Sequence, residues 1–235
     1  MLASGELGIV ALSLKVAFWS VVASMPFAIA VSHLLARRAF PGKSLLDAVV
    51  HLPLVLPPVV VGYFLLLLLG SRGPIGSWLE QWFGIVVAFR WTGAAIASAV
   101  MGFPLMVRAM RLSIEAIDPK LDAAAETLGA GHWGVFLTIT LPLALPGIVT
   151  GMLLAFARSL GEFGATITFV SNIPGETQTL PLAIYALTQV PGGDAQALRL
   201  CLLSIALSLI ALLISEVLVR RASRRALGYD TDGRS

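Results

Sequence analysis

Long apolar runs constrain the fold of this chain more than any other feature of its sequence. Four runs are long enough to cross a bilayer as helices of ~20 apolar residues, and a fifth follows from a broken apolar stretch. The expected spans are about 9–36, 47–70, 91–112, 141–164 and 197–219. Charged residues make up 12% of the chain, against about 25% in soluble domains. The sequence therefore predicts an all-α integral membrane protein in which residues 1–235 form one transmembrane domain.

The placement of basic residues predicts the orientation of these spans. Eleven of the 16 Lys and Arg residues follow the first, third and fifth spans. They are Arg37, Arg38, Lys43, Arg108, Arg111, Lys120, Arg220, Arg221, Arg224, Arg225 and Arg234. Because cytoplasmic loops are enriched in Lys and Arg, we expect this side to face the cytoplasm. The N-terminus is then outside, the C-terminus is inside, and the loops near 71–90 and 165–196 face outward.

A polar segment interrupts the apolar pattern in the expected cytoplasmic loop 113–140. Asp118 followed by Pro119 is typical of a helix start, and Gly129 with Gly131 is typical of a helix stop. Between them, apolar residues recur at helical spacing at Leu121, Ala124, Ala125 and Leu128, opposite the polar Lys120, Asp122 and Glu126. Such a helix could lie flat on lipid. Its acidic, Ala-rich composition instead favours packing against a protein, because helices at lipid surfaces favour basic and bulky apolar residues.

Two of the apolar spans carry further patterns. Pro53, Pro57 and Pro58 should kink or locally unwind the second span, since each proline removes a backbone donor. The freed carbonyls indicate either a pore lining or a simple kink for packing. In the fourth span, small residues recur every four positions at Gly147, Gly151, Ala155 and Ser159. This ridge predicts a close helix interface, within the subunit or with a second copy.

The composition argues against several other functions. His33, His51 and His132 are scattered, and Cys201 is the only cysteine, so we expect no metal site. Gly42-Lys43-Ser44 lacks the leading glycine and the strand of a phosphate-binding loop, so we expect no nucleotide site and no enzyme activity in this chain. The net charge of +3 is small, and nucleic acid is not an expected partner.

The polar segment resembles the EAA loop of ABC importer permeases, whose pattern is E-A-A, three residues, G, nine residues and I-x-L-P. The matching positions and their acidic neighbours are Asp122, Ala123, Ala124, Ala125, Glu126, Gly129, Ile139, Leu141 and Pro142. The resemblance implies a coupling helix that sits in a cleft of a cytoplasmic ATPase subunit. One position departs from the pattern, because the leading Glu of the family falls on Ala123, with Asp122 and Glu126 as the nearest acids.

Two further segments resemble permeases for tetrahedral oxyanions, of the type I ABC importer class. Residues 51–76 contain Pro57-Pro58 and Gly62, and residues 157–185 contain LGEFGA and NIPGETQTLPLAIY. Both resemble molybdate permeases most, while sulfate permeases share the LGEFGA core. The resemblance implies a permease for molybdate or tungstate in the bacterial inner membrane, with sulfate or thiosulfate as the alternative substrate. A freestanding channel or secondary transporter is the alternative of another class.

The same resemblance implies the partners of the chain. They are two copies of an ATPase that carries ATP and magnesium, a periplasmic molybdate-binding protein, a second copy of this chain and membrane lipid. No cofactor is implied for this chain itself.

Polar residues near the outer end of the fourth span complete the predicted pathway. Arg158 and Glu162 are one turn apart, and at this depth their pairing is the default expectation. We expect Arg158 also to contribute positive potential where a divalent oxyanion passes. Gly161 and Gly164 would let the helix end move as a gate, and Thr166 and Thr168 would offer neutral donors from which an anion can leave. The remaining pathway candidates are Pro57, Pro58 and Gly62.

Overall fold

The computed structural model describes residues 4–226, and within this range every regular element is helical. The α-helices are α1 (Ser4–Arg37), α2 (Lys43–Val55), α3 (Pro58–Leu69), α4 (Pro74–Phe83), α5 (Trp91–Glu115), α6 (Pro119–Thr127), α7 (His132–Val135), α8 (Leu141–Leu160), α9 (Gly164–Val170), α10 (Leu180–Thr188) and α11 (Asp194–Ala226). A π-helical turn at Phe136–Thr140 joins α7 to α8. The predicted all-α class is therefore confirmed.

Four helical stretches are long and apolar enough to cross a membrane. They are Gly5–Arg37, Trp91–Glu115, His132–Leu160 and Asp194–Ile214. A fifth crossing results if α2 and α3 are taken together as one broken span. This agrees with the prediction of about five spans, whereas the orientation of the termini stays a prediction. Arg234 lies outside the described residues, and so do the side chains of Arg220, Arg221, Arg224 and Arg225.

The proline pair breaks the second span outright. Helix α2 ends at Val55, α3 begins at Pro58, and the two axes are bent by 113°. A proline disfavours helical backbone at the preceding residue, and Leu56 and Pro57 are accordingly extended, with ψ angles of 144° and 132°. The predicted kink is thus a full interruption of the helix.

Helices α1, α5 and α8 form the centre of the protein, and the small residues of α8 are what allow their close approach. A Cβ atom at Gly151 would lie 2.9 Å from the carbonyl oxygen of Met106, and one at Gly147 would overlap the side chain of Ser113. Ser159 lies within 3.2 Å of the Ser20 hydroxyl on α1. The ridge predicted on the fourth span therefore packs within this subunit.

The fourth span differs from its predicted bounds, 141–164, at both ends. The helical stretch extends back to His132 through the π-helical turn, and Pro142 lies in the first turn of α8 without ending it. It ends at Leu160, four residues early, and Gly161 is its C-cap. Glu162 and Gly164, expected at the end of the same helix, instead lie in the turn before α9 and at its first residue.

The segments expected as outer loops contain short helices. Helix α4 lies within 71–90, and α9 and α10 lie within or overlap 165–196. The fifth span begins at Asp194 rather than 197, and its helix extends to Ala226 rather than 219.

Candidate coupling site and translocation segments

The polar segment folds as the short helix α6, and both of its ends are capped. The Asp118 carboxylate accepts a hydrogen bond of 2.9 Å from the backbone N–H of Lys120, and Pro119 is the first helical residue. At the other end, Gly129 has a φ of +91°, the left-handed region that favours glycine. Its N–H donates to Glu126, and the N–H of Ala130 donates to Ala125, which together form a Schellman motif. The length of α6 is therefore set by its sequence.

No residue of α6 is buried, and its apolar positions are uncovered. Leu121 is 46% exposed, Leu128 is 89% exposed, and Trp133 in the next helix is 79% exposed. Apolar side chains that a fold leaves open on a protruding element are typical of a binding surface. Leu121, Leu128 and Trp133 thus form an uncovered apolar surface at α6 and the start of α7.

The two acids nearest to Ala123 face different surroundings. Asp122 points back to the membrane helices, where its Oδ2 lies 3.3 Å from Nη2 of Arg37 at the end of α1. Glu126 is about half exposed, and its Oε1 lies 3.8 Å from Nε2 of His132. Glu126, and not Asp122, is therefore the carboxylate that α6 leaves accessible to a partner.

A cavity of about 480 Å³ separates the end of α1 from α6. Its lining comprises His33, Ala36, Arg37, Arg38, Pro119, Asp122, Ala123, Glu126, His132, Val135, Phe136 and Thr140. The lining carries two arginines and two acids, so it has no strong preference for either sign of charge. We therefore assign it no ligand.

The second half of the EAA-like motif, which ends in I-x-L-P, lies outside α6. Ile139 belongs to the π-helical turn, and Leu141 and Pro142 begin α8. Leu141 packs against the core between α1, α5 and α8. These residues form the connection from α6 into α8.

The two predicted pathway segments lie against each other, because α3 packs directly on α9. A Cβ atom at Gly62 would lie 2.5 Å from the carbonyl oxygen of Ala165, and one at Gly164 would lie 2.8 Å from Cβ of Pro58. Only glycine at these positions permits this separation of the helices. The break at Pro57-Pro58 and the start of α9 therefore form one close contact.

Arg158 and Glu162 form the predicted ion pair. Nη1 of Arg158 lies 2.7 Å from Oε2 of Glu162, whose side chain is 1% exposed. The other carboxylate oxygen accepts a 2.8 Å hydrogen bond from the N–H of Ala165 in the first turn of α9. Glu162 therefore offsets the charge of Arg158 and fixes the start of α9 at the same time. The positive potential expected from Arg158 is correspondingly reduced.

Neither predicted hydroxyl donor lies open to an anion on α9. Thr166 is buried, and the hydroxyl of Thr168 donates to the carbonyl of Gly164 at 2.9 Å. In the loop that follows, Thr177 is fully buried; its hydroxyl donates to the carbonyl of Ser171 and accepts the N–H of Ile173. These bonds give the loop between α9 and α10 a defined shape.

Sequence reasoning missed two residues that link distant elements. Arg37 was counted only as part of a basic cluster, and its pairing with Asp122 has no sequence signal. Ser13 accepts a 2.8 Å hydrogen bond from the N–H of Leu180, the first residue of α10. Serines on α1 at Ser13, Ser20 and Ser24 are a possible signal, because polar residues in a span often bond to another helix.

The fold and these segments define a class of membrane transport subunit. A family model for the inner membrane component of binding-protein-dependent transport systems matches residues 24–224, and the chain belongs to that family. This chain superposes on a chain from the crystal structure of a bacterial ABC transporter involved in the import of the acidic polysaccharide alginate. The TM-score is 0.74 at 19% identity, over 94% of this chain and 80% of that chain. A methionine ABC transporter in inward-facing conformations gives a TM-score of 0.67 at 16% identity, over 94% and 95%. The predicted importer permease fold is confirmed.

Among individual relatives, the molybdenum permeases of Escherichia coli and Haemophilus influenzae share much more identity with this chain than a sulfate permease does. The molybdenum transport system permease protein ModB of Escherichia coli is 65% identical over 217 residues, which cover 92% of this chain and 95% of that protein. The protein of the same description from Haemophilus influenzae is 60% identical over 94% and 96%. The sulfate transport system permease protein CysT of Escherichia coli is 38% identical over 86% and 73%.

These findings also decide the general character of the chain. It is a multi-pass protein of the inner membrane and a permease subunit, and it is not itself an enzyme.

Proposed function

We propose that this chain is the permease subunit of an ATP-driven importer that carries molybdate, with tungstate as a second substrate, across the inner membrane. The observation that carries this proposal is the 65% identity, over nearly the whole of both chains, to a molybdenum permease. The sulfate permease CysT of Escherichia coli is 38% identical, so the sulfate alternative is not favoured.

The proposed complex contains partners on both sides of the membrane. The family is defined by dependence on a binding protein, and a related alginate transporter is described in complex with a periplasmic protein bound to its substrate. By analogy, a periplasmic molybdate-binding protein delivers the anion to the outer segments around α4, α9 and α10. On the cytoplasmic side, two ATPase subunits carry ATP and magnesium, and two copies of this chain enclose the pathway along their shared axis. Lipid covers the remaining apolar faces.

In this proposal α6 is the coupling helix. The positions assigned to it are Asp122, Ala123, Ala124, Ala125, Glu126 and Gly129, while Ile139, Leu141 and Pro142 anchor the connection to α8. Its exposed Leu121 and Leu128 and the accessible Glu126 supply the contact with the ATPase. Asp122 faces the membrane helices and holds α6 in position through its ion pair with Arg37.

Movement of the coupling helix reaches the outer side through one continuous helical stretch. Residues His132–Leu160 extend from the residue after Gly131 to the turn that holds Glu162. A helix of 29 residues measures about 43 Å at ~1.5 Å per residue, enough to cross the hydrocarbon core. A displacement of α6 therefore shifts both ends of this stretch together.

The proposed gate is the contact that this stretch controls. Glu162 ties the end of α8 to α9, and α9 rests on the proline break before α3 through Gly62 and Gly164. Tilting α8 separates or closes this contact, with Gly161 as the flexible joint. The residues proposed for the pathway or gate remain Pro57, Pro58, Gly62, Arg158, Gly161, Glu162, Gly164, Thr166 and Thr168.

The proposal is tested by uptake into proteoliposomes that contain this chain with its ATPase and binding protein. We expect ATP-dependent uptake of radiolabelled molybdate that excess tungstate suppresses and excess sulfate does not. Omission of the binding protein is the control and should abolish uptake. Suppression of molybdate uptake by sulfate at the same excess as tungstate would assign the chain to the sulfate permeases. Uptake without ATP would assign it to another class of transporter.

A further inference from the structure

Helix α1 contacts both the coupling helix α6 and helix α10, which lies in a predicted outer segment. It is a single helix of 34 residues, Ser4–Arg37, and it packs along α5 and α8 in the centre of the protein. One of its ends meets α6, and its other half meets the start of α10. Neither contact belongs to the path through α8 described above.

The cytoplasmic contact is an ion pair at the last residue of α1. Nη2 of Arg37 lies 3.3 Å from Oδ2 of Asp122 and also donates to the carbonyl of Ile117 at 3.3 Å, just before α6. The side chains are 14% and 23% exposed, so water screens the pair less than it screens a surface pair. The other ion pair of α6 within the described residues joins Glu126 to His132 in the next helix along the chain. Arg37 is therefore what holds α6 to a distant membrane helix.

The outer contact is a hydrogen bond in a buried setting. The hydroxyl of Ser13 donates to the carbonyl of Ile9 in its own helix and accepts the N–H of Leu180 at 2.8 Å. Leu180 is the first residue of α10, and the first N–H groups of a helix have no acceptor within it. Ser13 and Leu180 are each 1% exposed, so water does not replace this acceptor if the serine is removed. Ser13 thus fixes where α10 begins.

The two contacts are far apart but belong to one continuous helix, in which Pro26 lies between them. Ser13 and Arg37 are separated by 24 residues, which corresponds to about 36 Å along a helix. A displacement of α6 that pulls on Arg37 is therefore carried along α1 to the first turn of α10. Coupling over such a distance requires packed elements and specific bonds at both ends, and α1 has both.

We propose that α1 is a second mechanical connection between the ATPase side and the outer side, with Arg37 and Ser13 as the positioning residues at its two ends. This inference rests on the proposed function, because it needs an ATPase that moves α6. Arg37 moves with the coupling helix because it is paired with Asp122. Ser13 transmits the shift to α10 and to the ordered loop of residues 171–179 that precedes it.

The test follows the movement of α10 directly, in the reconstituted complex with its ATPase and binding protein. A single cysteine replaces the buried Ala183 of α10 in a Cys201→Ser background, and its labelling rate by a maleimide is measured with and without ATP. We expect ATP to change this rate in the parent. Arg37→Gln and Ser13→Ala should each shrink the ATP-induced change about fivefold, the effect of losing one hydrogen bond or ion pair.

Matched variants separate this role from a general loss of stability. Ser32→Ala removes another buried serine of α1, whose hydroxyl bonds only to Ile29 within the helix, and should leave the ATP-induced change as in the parent. Ser13→Thr keeps the hydroxyl and should also behave as the parent. The exchanged pair Arg37→Asp with Asp122→Arg restores the contact with reversed charge and should recover most of the change lost in Arg37→Gln.

Two results would overturn the inference and leave the proposed function standing. One is a normal ATP-induced change at position 183 in both Arg37→Gln and Ser13→Ala, with molybdate uptake intact. The other is an equal loss in Ser32→Ala. Absence of ATP-driven molybdate uptake in the parent itself would instead overturn the proposed function and, with it, this inference.

Discussion

Replacement of Gly129 by valine should uncouple ATP hydrolysis from uptake without unfolding the protein. Gly129 has a φ of +91°, and a Cβ atom added there meets no other atom within 4 Å. The cost is therefore backbone strain alone, about 1–2 kcal/mol for an L-residue in the left-handed region. A β-branched side chain belongs at the upper end of that range.

This strain acts on a helix that has little else to hold it. Helix α6 has nine residues, none of them buried, and an isolated helix of that length is marginal in water. A cost of 1–2 kcal/mol changes the ratio of folded to frayed α6 about 5- to 30-fold. The coupling helix would then no longer transmit the movement of the ATPase, whereas the membrane core between α1, α5 and α8 is unaffected.

Gly42 supplies a matched control. It has a φ of +90°, it also has open space around a Cβ atom, and it lies at the start of α2 on the same predicted side of the membrane. Gly129→Val and Gly42→Val therefore introduce the same strain at different places. The assay is the ratio of molybdate taken up to ATP hydrolysed in proteoliposomes, together with thermal stability in detergent. We expect that ratio to fall in Gly129→Val alone. Equal ratios in the two variants would refute the role assigned to α6.

Three other substitutions test the packing of the proposed gate and core. Gly62→Ala places a Cβ atom 2.5 Å from the Ala165 carbonyl oxygen, so α3 and α9 must separate. We expect this to cost about 1–3 kcal/mol and to reduce uptake. Gly8→Ala, where the added Cβ atom meets open space, is the control and should leave uptake unchanged. Glu162→Gln leaves the partly buried Arg158 without its counter-charge and should lower the unfolding free energy by up to about 3 kcal/mol, measured by thermal denaturation. Gly151→Leu should prevent close packing of α8 on α5 and abolish stable expression, whereas normal levels would contradict the packing described.

The sequence predicted the elements whose limits are set by local chemistry. Helix α6 begins after Asp118 and ends before Gly129 because a carboxylate, a proline and a left-handed glycine define its ends without help from the rest of the fold. A kink or local unwinding at Pro57-Pro58 was predicted for the same reason, since a proline disfavours helical backbone at the residue before it. Pro53, which was expected to contribute, lies inside α2 without interrupting it.

The elements that were missed depend on contacts between distant residues. The end of α8 at Leu160 is set by Gly161 and by the carboxylate of Glu162, which bonds to the next helix. Gly161 and Gly164 are both possible ends in the sequence, and the bond from Glu162 to Ala165 in α9 that accompanies the first of them has no local signal. The first N–H of α10 is bonded by Ser13, which is 167 residues away in the chain. No local pattern contains such a contact.

The candidate site shows the same division. The coupling positions from Asp122 to Gly129 follow from a local motif, whereas the inward direction of Asp122 depends on Arg37, which is distant in the chain. Helix α6 would be amphipathic on either side of the membrane, and the side that it faces is the point on which the proposed mechanism depends.

That point is measured by labelling one cysteine at Leu128 in a Cys201→Ser background. Leu128 is 89% exposed at the end of α6, so a membrane-impermeant maleimide reaches it without any unfolding. We predict labelling in inside-out membrane vesicles, none in right-side-out vesicles, and protection when the ATPase subunit is added. Labelling in right-side-out vesicles, or full labelling with the ATPase bound, would contradict the account.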